Sequence, residues 1–126
     1  MSTIIKFYTA PNDDVAEQGP GRDAVDFGDF DVFASLEEWE SLLLDRPLDD
    51  VDGPEQVNDE ESPLILALLP ALTRALARAD IDALARSWVA VRSAEGEKID
   101  PAVARRILTG LAGLARSRRP VFCSVS

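Results

Sequence analysis

The segment PVFCSVS, residues 120–126, closes the sequence with the pattern that decides the fold. Val121, Cys123 and Val125 recur with a period of two, which indicates a β-strand. The segment IIKFYTA, residues 4–10, is rich in β-branched and aromatic residues and predicts another strand. Because both segments are apolar strands, we expect them to pair with each other in one small sheet.

The helix nearest to the first strand is predicted to begin at Ser35. Ser35 and Glu38 have the spacing of a capping box, in which each side chain accepts a hydrogen bond from the other's free backbone N–H. Leu36 and Trp39 then fall on one apolar face. Residues 30–33, FDVF, fit either a short strand or the entry into this helix. Three phenylalanines here are expected to face the core: Phe27, Phe30 and Phe33.

The second half of the sequence is predicted to be helical up to the closing strand. Ser62-Pro63 is a favourable N-cap and first-turn pair, and Pro70 predicts a kink or a restart in the helix that follows. Asp80 and Asp100 are predicted to cap two more helices. Four or so helices packed on one face of the small sheet give an α+β fold.

Residues 1–126 are predicted to form a single domain, since 126 residues is an ordinary domain size. Two segments, 11–24 and 45–62, are acidic and rich in loop-forming residues. The first residues lack the apolar core of a signal peptide, and no apolar run approaches the roughly 18 residues that a membrane helix needs. We therefore expect a cytoplasmic protein without membrane contact.

The sequence contains no histidine and one cysteine, Cys123. Catalytic triads, Cys–His pairs and histidine metal sites need imidazole, so one chain cannot form them. A single cysteine supports neither an internal disulfide nor a cysteine metal cluster. Cys123 is expected to be a core residue, with a reactive thiol near Arg118 or Arg119 as the alternative. We expect no catalytic residues, no enzyme activity and no cofactor.

Charge is distributed unevenly along the sequence, whose net charge is −10. Residues 1–62 hold 18 acidic and 3 basic residues, a net charge of −15, whereas residues 63–126 hold 5 acidic and 10 basic residues, a net charge of +5. A strongly acidic protein lacks the cations that neutralise phosphates, so we expect no nucleic-acid ligand. The asymmetry indicates charges matched within the fold, a charged face for a partner, or an acidic surface that only maintains solubility.

The first functional hypothesis is a non-catalytic protein-binding module of the immunity-protein or antitoxin type. Such a protein presents acidic surface to a basic protein partner, which it attracts by charge complementarity. The candidate partner-binding residues come from the first long helix and from segment 45–62: Glu37, Glu38, Glu40, Asp49, Asp50 and Asp52.

The alternative hypothesis is a protein that binds a divalent metal or a small ligand through clustered aspartates. The candidate ligands lie in DFGDFDVF, residues 26–33: Asp26, Asp29 and Asp31. The Asp-Phe-Gly triplet has no glycine-rich loop or catalytic loop beside it, so a kinase site is excluded. An EF-hand loop fits residues 48–59 poorly, because Leu48 and Asp59 occupy its first and last ligand positions.

The third hypothesis is a structural homo-oligomer whose helices pair through exposed apolar surface. The predicted oligomeric state is therefore a monomer or a homodimer.

The arrangement resembles small acidic actinobacterial proteins of unknown function and, more distantly, the YfbM-like family. The matching pieces are Phe30-Asp31 with SLEEWESLLL, the helices after Pro70, and RPVFCSVS. Glu40 and Ser41 replace the glycine and histidine that follow the tryptophan in that family. The resemblance covers about two-thirds of the chain and implies the fold, but it implies no activity or site residues, because function resides in sites and not in folds.

Overall fold

The terminal strands pair directly in the computed structural model, which describes residues 4–21, 25–26, 30–60 and 63–126. Strand β1 (Ile5–Thr9) lies antiparallel to β5 (Val121–Val125), with Phe7 opposite Cys123. Beyond these strands, residues 4 and 126 exchange two backbone hydrogen bonds of 2.7 and 3.0 Å. The predicted pairing of the two terminal strands is therefore confirmed.

The described residues form a five-stranded sheet with helices, which confirms the α+β fold. The strand order is β2-β1-β5-β4-β3, and every neighbouring pair is antiparallel. The other strands are β2 (Val25–Asp26), β3 (Glu55–Gln56) and β4 (Leu64–Ala67). The helices are α1 (Asp13–Ala16), α2 (Val32–Leu44), α3 (Pro70–Arg78), α4 (Ile81–Ala94) and α5 (Pro101–Ala115), with a 3₁₀-turn at Leu48–Asp50. None of the described helices is long and apolar enough to cross a membrane.

Strand β4 corrects the prediction of a helix that starts at Ser62-Pro63. Leu66 faces the helices and Ile65 faces the opposite side, and both are buried because both faces of the sheet are covered. A strand covered on both faces is a continuous apolar run, which periodicity alone does not separate from a buried helix. The helix begins at Pro70 instead, where proline is favourable because the first helical N–H needs no partner.

Helix α2 begins one turn earlier than the capping box predicted. Asp31 is the N-cap, and its side chain accepts a hydrogen bond from the backbone N–H of Ala34 at 3.2 Å. Ser35 is buried inside the helix, where its hydroxyl donates to the carbonyl oxygen of Asp31 at 2.7 Å. Val32 and Phe33 are already helical, so Asp31 and not Ser35 is the N-cap. Residues 30–33, FDVF, are therefore the entry into the helix and not a strand.

The main core lies between the sheet and α2–α5. Trp39 of α2 and Trp88 of α4 are fully buried, with ring centroids 5.0 Å apart, and Phe30 packs edge-on against Trp88. Phe33 is 44% exposed, which corrects its predicted place in the core, and Phe27 lies outside the described residues. The tryptophans therefore join two helices that the sequence places far apart.

The opposite face of the sheet carries a smaller core. Tyr8 stacks near Phe122, with ring centroids 5.9 Å apart, and packs with Ile65. The tyrosine hydroxyl donates to the carbonyl oxygen of Ala16 at 2.7 Å and so fixes α1 on this face. Segment 11–24, predicted as a loop, thus contains a short helix that covers the sheet.

We expect the thiol of Cys123 to be unreactive in the folded protein. Cys123 is fully buried in β5, and burial raises the pKa of its thiol to about 12, so little thiolate exists at neutral pH. Labelling with a disulfide reagent at pH 8 should be at least about 100-fold slower in the native protein than in urea. Rapid labelling of the native protein would support the reactive-thiol alternative.

Candidate functional site

Residues 45–60, called here the acidic segment, lie beside the C-terminal half of α2. The segment contains the 3₁₀-turn and β3, and its turn contacts α2. Gly53, with φ of +73°, packs near the side-chain methylene of Glu37. A non-glycine residue is unfavourable at such a φ, so glycine lets the chain reverse against the helix. Strand β3 places two residues of this segment, Glu55 and Gln56, in the sheet.

Glu40 fixes the acidic segment to α2 through both oxygens of its carboxylate. Its side chain is buried, and it accepts hydrogen bonds from the backbone N–H groups of Asp52 at 2.9 Å and Gly53 at 3.0 Å. Arg46 donates to the same carboxylate at 3.2 Å and lies 3.4 Å from the carboxylate of Asp52. Three donors converge on one buried anion, which offsets the cost of removing its charge from water.

Glu38 forms a second buried interaction on another side of α2. Its carboxylate accepts a 2.7 Å hydrogen bond from the guanidinium of Arg92 in α4. Arg92 also lies 3.5 Å from Glu97 and 3.9 Å from Asp31. The other oxygen of Glu38 is buried without a hydrogen-bond partner among the described residues. One guanidinium thus faces three carboxylates.

Burial is the main reason why the pKa of Glu38 is shifted. Burial raises the pKa of Glu38, and the carboxylates of Glu95 and Asp31 act in the same direction. The hydrogen bond and the charge of Arg92 oppose the shift without cancelling it, because burial is the larger effect. The ionised form of Glu38 is consequently less favourable in the fold than in the unfolded chain.

Glu38 and Glu40 are therefore corrections to the predicted partner-binding set. Both were expected on the acidic surface, but their side chains are buried and used within the fold. The other four residues are exposed and form what we call the acidic surface: Glu37, Asp49, Asp50 and Asp52. The internal partners Arg46 and Arg92 were missed. The sequence offered one sign of an internal ion pair, because Arg46 is the one basic residue among the many acidic residues of 26–62.

Exposed apolar side chains occur on the same elements as the acidic surface. Phe33 and Leu42 of α2 are 44% and 38% exposed, and Leu48 in the acidic segment is 50% exposed. Phe33 precedes Glu37 by one helical turn, so the two side chains share one face of α2. Leu48 directly precedes Asp49 and Asp50. Acidic and apolar groups are thus interspersed.

Of the three predicted metal ligands, Asp26, Asp29 and Asp31, the structure describes the side chain of Asp31. Asp29 and the side chain of Asp26 lie outside the described residues. Asp31 caps α2 with one oxygen and faces Arg92 with the other, so its carboxylate serves the protein's own donors. Within 4–21, 25–26, 30–60 and 63–126, no group of three or more potential ligand residues is placed to hold a metal ion.

Replacing Glu40 should both destabilise the protein and release the acidic segment. We expect Glu40→Ala to lower the free energy of unfolding by about 2–4 kcal/mol, because three charge-assisted hydrogen bonds are lost. Glu37→Ala, on the same helix but exposed, should change it by less than about 0.5 kcal/mol. Urea denaturation measures both variants, and faster amide exchange at Asp52 and Gly53 reports the release. Equal effects of the two substitutions would contradict this role of Glu40.

Replacing Glu38 should change how stability depends on pH. Because the pKa of Glu38 is raised in the fold, the folded state retains this proton to higher pH than the unfolded chain. Stability contributed by the protonated group is therefore lost as pH rises from glutamate's ordinary titration range through the raised folded pKa. The free energy of unfolding of the native protein, minus that of Glu38→Gln, should fall across this window in urea titrations. A rise would show that Arg92 outweighs burial.

No family model and no solved structure matches the chain. It is similar to the ATP synthase gamma chain of Salinispora arenicola (strain CNS-205), with 38% identity over 91 residues. The aligned region is 71% of this chain but 28% of that protein, so the chain spans less than a third of the length of its relative. This similarity does not assign the chain to a family, and the resemblance to the YfbM-like family stays a prediction.

Proposed function

We propose that the protein is a non-catalytic binding module that presents its acidic surface to a basic protein partner. The observation that carries the proposal is the attachment of the acidic segment by Glu40, which places exposed carboxylates on a fixed backbone. A surface ordered before binding loses little conformational entropy when the partner docks, so more of the interaction energy appears as affinity. A solubilising surface needs no such attachment.

Charge supports the same function. The acidic surface lies in the half of the sequence with a net charge of −15. The acidic segment contains one basic residue, Arg46, which is ion-paired with Glu40 and Asp52. The remaining negative potential would raise the rate of encounter with a basic partner and would be screened by salt. Nucleic acid is not proposed as a partner of this surface, because its phosphates would be repelled.

The exposed apolar residues supply a second element of recognition. Affinity in protein interfaces is concentrated in a few buried apolar and aromatic anchors, while surrounding charges set specificity and encounter rate. Phe33 and Leu48 have the exposure and the acidic neighbours for this role. A partner with a basic rim around an apolar pocket would complement both features.

Binding without catalysis agrees with the chemistry available to the chain. The sequence has no histidine, and its one cysteine is buried with a raised thiol pKa. We place the protein in the cytoplasm, where an unpaired thiol remains reduced.

Charge reversal tests this function. Immobilised native protein should capture a basic protein from a lysate of the source cells, identified by mass spectrometry and then purified. Glu37→Lys/Asp49→Lys/Asp50→Lys should weaken binding to that purified partner at least about 100-fold, because three favourable charge contacts become repulsive. The affinity of the native pair should also fall as salt rises.

The matched control reverses three charges elsewhere. Asp13, Asp14 and Glu17 are exposed residues at α1, which covers the other face of the sheet. Asp13→Lys/Asp14→Lys/Glu17→Lys alters net charge equally and should cost much less affinity. Equal losses in both triple variants, or salt-independent binding, would refute recognition by the acidic surface.

A further inference from the structure

An arginine-rich groove lies between α3 and the C-terminal end of α5. Its volume is about 740 Å³. Apolar side chains of both helices and of the adjoining segments contribute to its wall, among them Leu68, Ala77 and Ala115. Five arginines also line it: Arg74, Arg78, Arg116, Arg118 and Arg119. Among the residues that the structure describes, no acidic one lines the groove, although the whole sequence has 23 of them.

One of the five arginines has a structural role. The Nε of Arg116 donates to the carbonyl oxygen of Ala77 at 3.3 Å, near the C-terminus of α3. The remaining four guanidinium groups have no hydrogen bond or ion pair to any described residue. Among the described residues outside the groove, three arginines each form an ion pair with a carboxylate at 3.2 Å or less: Arg46, Arg92 and Arg105. Arg86 and Arg106 likewise have no ion pair to a described residue, so the groove is distinguished by the four unpaired guanidinium groups that line one cavity.

The helix dipole accounts for Arg78, in the last turn of α3, but not for all of these arginines. The last carbonyl groups of α5 accept hydrogen bonds from the backbone N–H groups of Arg116, Ser117 and Arg118, so the guanidinium groups are not needed as caps. Arg74 lies in the middle of α3, away from its C-terminal end. Arg118 has a φ of +66°, and the chain reversal at this residue brings Arg118 and Arg119 to the groove.

We propose that this groove binds a small organic phosphate that carries an apolar group. The volume falls within the range of about 300–1,000 Å³ typical of small-molecule sites, which combine apolar walls with a few convergent polar groups. Guanidinium groups bind phosphate through two parallel hydrogen bonds, and one phosphate offers enough acceptor oxygens for several arginines. The apolar wall would contact the remainder of the ligand.

A second copy of this chain is the competing occupant, since its acidic segment is complementary in charge to the groove. The small ligand is favoured because the acidic segment is already bound to α2 of its own chain by Glu40. The volume of the groove is also in the range typical of small-molecule sites.

The test uses 1-naphthyl phosphate as a probe in isothermal titration calorimetry at low salt. We expect saturable binding with one probe per chain, at least about tenfold tighter than inorganic phosphate or 1-naphthol, because the groove contacts both parts of the probe. Arg74→Glu and Arg119→Glu should each weaken binding at least about tenfold. Arg74→Gln, which removes the charge without reversing it, should weaken binding in the same direction. Arg106→Glu, an exposed α5 residue outside the groove, should change it less than about threefold.

Three outcomes would overturn the proposal. The first is that the probe does not bind saturably, and the second is that Arg106→Glu weakens binding as much as Arg74→Glu does. The third is that light scattering gives twice the 13.7 kDa mass of the chain and that Arg74→Glu abolishes this doubling. The last result would assign the groove to a second copy of the chain. Circular dichroism of each variant establishes that it is folded. The groove and the acidic surface share no residue, so failure of one proposal leaves the other standing.

Discussion

A buried carboxylate needs hydrogen-bond donors to offset the loss of water, and α2 carries two buried carboxylates within three residues. Glu38 is paired with Arg92 of α4, and Glu40 with the backbone of the acidic segment. Removing the partner of a buried charge typically costs about 3–5 kcal/mol, so the positions of these partners are tightly constrained. Helix α2 is consequently the element through which the helical core and the acidic segment are held in a fixed relation.

These contacts also show that, in the part of the chain that the structure describes, the two oppositely charged halves of the sequence form few ion pairs with each other. Among the described residues, the ion pairs that join the halves all use Arg92, which contacts Glu38 and Asp31. The other pairs form within one half, as Arg46 does with Glu40 and Arg105 with Asp82. Most of the acidic charge of one half and of the basic charge of the other therefore faces solvent. The surface therefore has regions of negative and of positive electrostatic potential, which are the acidic surface and the arginine-rich groove.

The sequence was sufficient for features encoded locally and insufficient for those that depend on distant partners. The period of two around Cys123, and the caps at Asp80 and Asp100, predicted elements that the structure contains, since cap geometry and strand alternation depend on neighbouring residues. Strand β4 was missed because it becomes a strand through its neighbours β3 and β5. Glu38 and Glu40 were placed on the surface because charged residues usually lie there. The partner of Glu38 is 54 residues away, and the partners of Glu40 are 6, 12 and 13 residues away.

The dual role of Glu40 links the stability of the fold to the proposed interaction. The same hydrogen bonds that stabilise α2 against the acidic segment also set the positions of the carboxylates offered to a partner. A partner that binds this ordered arrangement, and not the unfolded chain, must stabilise the fold by mass action, by about 2.7 kcal/mol at a hundredfold excess over the dissociation constant. By the same linkage, any loss of order in the segment lowers affinity even when every exposed carboxylate is retained. In the proposed interaction, order in the acidic segment is thus as much a determinant of affinity as its charge.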